Sequence, residues 1–150
     1  MSWKTSFSHL VRQVYVQRSA EATEAVAMAR SYLEKIDFHL VDDEGDIPAE
    51  HLSGTTIYLC LHKGNPVGRC PGSQGHLCCN YHTVDLYAGC GLGCTYCIMR
   101  SYLNFSPVTV YVDPEPSIAE VRALAQRDPT TSLRVGTGEI GDSLLYDPAF

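Results

Sequence analysis

Three cysteines fall within eight residues in the run Cys90-Gly-Leu-Gly-Cys94-Thr-Tyr-Cys97, separated by three and then two positions. Thiolates are soft donors that suit Zn²⁺ or iron-sulfur clusters and suit hard ions such as Mg²⁺ poorly. Gly91 and Gly93 allow tight or left-handed backbone, so three side chains can converge on one small object. A structural zinc site is normally closed by four ligands in two close pairs. Ordinary ferredoxin sites also take four cysteines, often at another spacing.

A second loop of interest is Gly136-Thr137-Gly138-Glu139, which comes after the run Leu133-Arg134-Val135. Its glycines permit close backbone approach, and its carboxylate accepts charge-assisted hydrogen bonds. Taken alone, such a turn reads as a plain strand-end loop; its distance from the cysteine loop is what favours a functional reading. Asp142 and Ser143 either reach toward the same loop or cap the next helix.

The remaining cysteines divide. Cys60 lies inside the apolar run Thr56-Ile57-Tyr58-Leu59-Cys60-Leu61 and reads as core filling. Cys70, Cys78 and Cys79 read either as small buried hydrophobes or as ligands, with His76 or His82, of a second metal; no role is assigned to them. The six histidines show no HxH or HExxH spacing. No Walker loop, nucleophile elbow or Rossmann fingerprint occurs.

A scaffold has to hold these loops in place. Gln13–Val16 reads as a short strand, succeeded by a helix capped at Ser19 with an apolar face of Ala22, Ala25, Val26, Ala29, Leu33 and Ile36. Strands are expected at 37–41 and 56–61, separated by the acidic loop Asp42-Asp43-Glu44-Gly45-Asp46. Residues 1–65 thus form a small N-terminal β-α-β-β unit, and the Gly-, Pro- and Cys-rich stretch 66–82 reads as a linker.

From residue 83 to 150 strands and helices alternate. Strands are expected at 83–87, 108–112 and 133–135, with a short helix at 96–103 and a longer one opened by the capping box Ser117-Ile118-Ala119-Glu120. This is the grammar of parallel βα units, whose functional loops lie at the carboxyl ends of strands. A parallel sheet ending after a third strand would still need cover on both faces, so the barrel is expected to be truncated here.

Bulk properties exclude several classes. The chain has 150 residues, is 45% hydrophobic and contains enough apolar material for a core. No N-terminal basic stretch leads into an apolar run, and no segment approaches a membrane span. Six of the seven cysteines cluster between Cys70 and Cys97, which points to metal in a reducing cytoplasm rather than a secreted disulfide framework. The net charge of −6 gives no footprint for nucleic-acid phosphates.

The Cys-x3-Cys-x2-Cys spacing, with aromatic Tyr96 before the last cysteine, is similar to the signature of radical S-adenosylmethionine (SAM) enzymes. Further stretches resemble the spore photoproduct lyase subgroup: Cys70-Pro71-Gly72, Gly75-His76-Leu77-Cys78-Cys79, Cys94 through Asn104, Thr109–Val112 and Arg134 through Leu144. The resemblance implies an α/β fold in which the small N-terminal unit precedes the first half of a partial TIM-type (β/α)6 radical SAM barrel. It implies a 4Fe-4S cluster on Cys90, Cys94 and Cys97, with one iron left open for SAM. Tyr96, Gly136, Thr137, Gly138 and Glu139 would bind that cosubstrate. Reductive cleavage of SAM to a 5′-deoxyadenosyl radical, which abstracts hydrogen from substrate, would ensue.

An electron donor such as flavodoxin or ferredoxin is implied as a partner, and DNA by family analogy only. The cysteine with which the lyase returns a hydrogen atom falls on Gly136, which has no side chain. The expectation is therefore a lyase-like enzyme of unidentified substrate, and the fragment need not be active by itself. The alternative is a non-catalytic zinc-binding or nucleic-acid-binding module that completes its site with Cys78 or Cys79.

Overall fold

Short β-branched and aromatic runs become the strands of a parallel sheet because they bury on both faces. In the computed structural model, which describes residues 8–70, 72, 75, 79–102, 107–137 and 139–147, β1 (Gln13–Gln17) and β3 (Thr56–Cys60) are buried almost throughout. With β2 (Phe38–Val41), β6 (Tyr87–Ala88) and β7 (Val108–Tyr111) they form a sheet of order β2-β1-β3-β7-β6. All its pairings are parallel except β6 with β7. Near-continuous apolar strands are what a parallel sheet covered on both sides requires.

Helix α1 (Glu24–Tyr32) covers one face. Val26 and Ala29, with Leu33 just beyond the helix, pack in one cluster with Val14, Val16, Ile57, Leu59, Val108 and Val110. On the second face Tyr15, Val41, Tyr58 and Cys60 meet Ile47 from the connection between β2 and β3. Cys60 is core filling, as expected. The helix begins later than expected: residues 18–20 form a 3-10 turn, and Thr23 is the N-cap, its hydroxyl accepting from the Val26 amide at 3.4 Å. Thr23 is extended and has its oxygen over the first free amides, a position that Ser19 does not occupy.

The second sheet has order β4-β5-β8, with β4 (Val67–Arg69) antiparallel and β8 (Arg134–Thr137) parallel to β5 (Tyr81–Val84). Two expectations are corrected here. The strand expected at 83–87 is two strands in two sheets, because the chain crosses over at Asp85 and Leu86. The Asp85 amide donates to the Pro66 carbonyl at 2.9 Å, and the Leu86 carbonyl accepts from Tyr111 at 3.0 Å. Strand β7 also leaves the expected succession and fills the place beside β3, where its β-branched residues are buried. Strand β8 consequently pairs directly with β5. Within the stretch 66–82, Val67–Arg69 is thus a paired strand, and the five-stranded sheet draws on chain from both sides of that stretch.

The helix expected at 96–103 is only a 3-10 turn, Ile98–Ser101, within the described part of that range. Helix α2 (Glu115–Arg127) starts before the expected capping box. Asp113 provides for its first turn instead, accepting from the Glu115 amide at 3.1 Å, and Ser117 is buried inside the helix. No helix among the described residues is long and apolar enough to cross a membrane.

Candidate functional site

The cysteine loop leaves β6 through Gly89, whose φ of 89° only glycine adopts readily, and bends again at Gly93 with φ 62°. Cys90, Cys94 and Cys97 are free thiols, each half-buried. Within the loop the Cys94 carbonyl accepts from the Cys97 amide at 3.2 Å. Tyr96 projects into solvent at 89% exposure. A hydrogen bond with Cys94, reinforced by the negative charge that a Cys94 thiolate would carry, pushes its phenol pKa up.

The loop after β8 lies against this one. Because β5 and β8 are parallel, with Val84 opposite Thr137, the chain leaves both strands at the same end. The Gly89 amide donates to the Ile140 carbonyl at 3.0 Å. The backbones meet so closely that a Cβ at Gly141 would overlap the Gly89 carbonyl. A Cβ at Gly91 would lie 2.6 Å from the Tyr146 hydroxyl and 2.7 Å from the Gly54 carbonyl. Tyr146, 1% exposed, has its phenol pKa raised first by burial and then by the charge of Cys90.

The structure therefore brings together the two motifs singled out in the sequence. Gly136 and Thr137 close β8, and Glu139 is exposed just beyond it; Gly138 lies outside the described residues. The Thr137 and Ser143 hydroxyls hydrogen-bond at 2.8 Å, closing the loop on itself. Of the other cysteines, Cys70 is half-buried and Cys79 exposed, both as free thiols, while Cys78 and His76 lie outside the described residues.

Gly89, Gly141 and Tyr146, which fix the approach of the two loops, carry no motif-level mark. Their role arises from contacts between segments some 50 residues apart in the chain, as the pairing of Gly89 with Ile140 shows.

The donor set fits an iron-sulfur cluster chemically: three free, partly accessible thiols share one glycine-bent loop. Among the described residues, no three or more His, Cys, Asp or Glu side chains form a group arranged to hold a metal ion. A cluster on all three would require the sulfurs to draw together, and Gly93, with positive φ and open space around it, is where the loop can bend.

Parallel strands with covering helices, and loops gathered at one end, define a mixed α/β protein built around a parallel sheet, the fold that it shares in part with TIM-like barrels. No family model and no curated protein sequence matches the chain. Its structural neighbours are spore photoproduct lyase, a radical SAM enzyme. A lyase mutant with bound AdoMet and dinucleoside spore photoproduct matches with a TM-score of 0.73 and 14% identity, over 93% of this chain and 43% of that one. The lyase complexed with dinucleoside spore photoproduct matches at 0.74 and 14%, with the same coverage. What is shared at this identity is the fold. The chain spans less than half the length of these neighbours.

Proposed function

We propose that this chain is the cluster- and SAM-binding portion of a lyase-like radical SAM enzyme whose substrate is unidentified. The observation that carries the reading is the contact of Gly89 with Ile140 and Gly141, by which the Cys90–Cys97 loop leaving β6 lies against the loop leaving β8. Functional loops of parallel βα architectures gather at this end.

In this reading Cys90, Cys94 and Cys97 hold a 4Fe-4S cluster, and the fourth iron takes no protein ligand. When bound, the cluster and SAM supply reductive cleavage of the sulfonium C–S bond, yielding a 5′-deoxyadenosyl radical for hydrogen abstraction. The protein's own contribution is positional. The exposed Glu139 carboxylate would accept from the SAM ammonium. Tyr96, exposed between Cys94 and Cys97, would meet the cosubstrate.

Residues 1–65 and 83–150 share the first sheet, 66–82 supplies β4 and the start of β5 between them, and 83–150 would begin the barrel. A flavodoxin or ferredoxin is the proposed electron donor in a reducing cytoplasm. The neighbours bind a dinucleoside, which makes DNA a proposal by analogy alone.

Anaerobic purification, then iron, sulfide and zinc analysis, tests the assignment. The expected result is a brown protein with iron and sulfide in equal amounts. Each of Cys90→Ala, Cys94→Ala and Cys97→Ala should abolish the iron and its visible absorption, while Cys60→Ala retains both. A colourless chain holding one zinc and no iron would overturn the reading in favour of a zinc module.

A further inference from the structure

Gly136 is not a glycine for the sake of its backbone. The described glycines with positive φ are Gly64, Gly75, Gly89 and Gly93, and Gly136 is not among them. What excludes a side chain there is another residue: a Cβ at Gly136 would overlap the Tyr81 hydroxyl and lie 2.5 Å from the ring carbon that bears it. The phenol of Tyr81 occupies the space into which a side chain at 136 would project.

The register shows which side of the sheet this is. Tyr81 pairs with Arg134, and Thr83 with Gly136, so these residues share one face by strand alternation. Val84 belongs to the opposite face, where it lines an apolar groove with Ile118, Val121 and Ala125 of α2. Tyr81 therefore stands on the side away from the covering helix, which in a βα barrel is the interior. Half-buried, it leans along the strands from residue 81 toward the end from which the Gly136–Glu139 loop emerges.

We propose that Tyr81 is a specificity-determining residue of this site: its phenol covers Gly136 and presents a hydroxyl to the ligand held by the Gly136–Glu139 loop. The ligand it suits has a polar group, a hydroxyl or ring nitrogen, placed to hydrogen-bond the phenol across the strand end. This rests on the reading of that loop as the SAM site, so SAM is the probe. Any side chain at 136 and the phenol at 81 exclude one another, and a change at either position alters the cavity seen by the ligand.

The test uses the reconstituted holoprotein and four variants: Tyr81→Phe, Tyr81→Ala, Gly136→Ala and the double variant. SAM affinity is measured by calorimetry and stability by thermal melting. Tyr81→Phe should keep the cluster and the melting temperature while weakening SAM binding by about tenfold, the size of one lost hydrogen bond. Gly136→Ala should lower both affinity and melting temperature, and Tyr81→Ala in the same chain should remove most of that added penalty.

Unchanged SAM affinity in Tyr81→Phe would overturn the contact. An equal Gly136→Ala penalty in melting with and without the phenol would overturn the steric coupling. Wild-type holoprotein that binds no SAM would end the reading of the loop, and with it the ligand contact. The melting data would still decide the coupling between residues 81 and 136.

Discussion

Strand β3 of the five-stranded sheet is buried at every position, whereas β8 of the three-stranded sheet is exposed at three of its four. Both are parallel strands of similar length. The first has a neighbour on each side and cover on both faces. The second has β5 on one side and, among the described residues, no strand on the other. Helix α2, which serves the second sheet, buries only Ser117, while Ile118 remains 42% exposed.

Hydrophobic stabilisation scales with the area removed from water, so cohesion concentrates in the first sheet. The cysteine loop leaves β6 at the edge of the first sheet and the Gly136–Glu139 loop leaves β8 of the second. The candidate site therefore lies where the firm sheet meets the looser one, and ligand-binding segments generally come from the less stable parts of a fold.

Substitution of one apolar residue in each sheet should separate the two most plainly. Leu59, fully buried between α1 and β7, should cost about 2–5 kcal/mol as Leu59→Ala, enough to unfold much of a marginally stable domain. Val135→Ala, at 38% exposure, should cost no more than about 0.5 kcal/mol. Urea denaturation of both variants compares them. Equal losses would mean that the second sheet carries as much of the stability as the first.

Amide exchange probes the same contrast without mutation. Amides of β1 and β3 should exchange only on global opening, and those of β8 through local opening that leaves the first sheet intact. Adding SAM to the cluster-loaded protein should slow exchange at β8 and at 139–141 more than at β1. Uniform protection across both sheets would erase the difference inferred from burial.

The two sheets were not equally legible in the sequence. Strands β1 and β3 announce themselves through the runs Val14–Val16 and Ile57–Cys60, because two-sided burial leaves polar residues only at the strand ends. The assignment of β7 to a sheet was not readable: Val108–Tyr111 would suit any buried slot, and only the crossover at Asp85 and Leu86 sends it to the first sheet. Helix starts shifted for a local reason, since Ser19 and Ser117 are as good as Thr23 and Asp113 on residue type alone.

At the site, the cysteines and the Gly-Thr-Gly-Glu run were legible as donors and a close-approach loop. Their adjacency was not, because it depends on β8 pairing with β5 rather than with β7. Tyr81 and Tyr146 escaped for the same reason: each acts through one contact with a glycine distant in sequence.

Alkaline stability should change least, and that change too should belong to the first sheet. Burial pushes the pKa values of Tyr58 and Tyr87 up from 10.0 to about 12, and that of Cys60 from 9.0 to about 12. These groups ionise more readily in the unfolded chain than in the folded one. Between about pH 9 and 12 the folded state therefore holds more protons, and stability falls as pH rises. Their contribution is complete below the unfolded values and is lost as pH climbs toward the folded ones. Tyr58→Phe removes one of the three groups while keeping the ring, so urea midpoints measured from pH 8 to 11 should decline less steeply in this variant than in the wild type. Parallel decline in both chains would assign the alkaline loss to groups other than Tyr58.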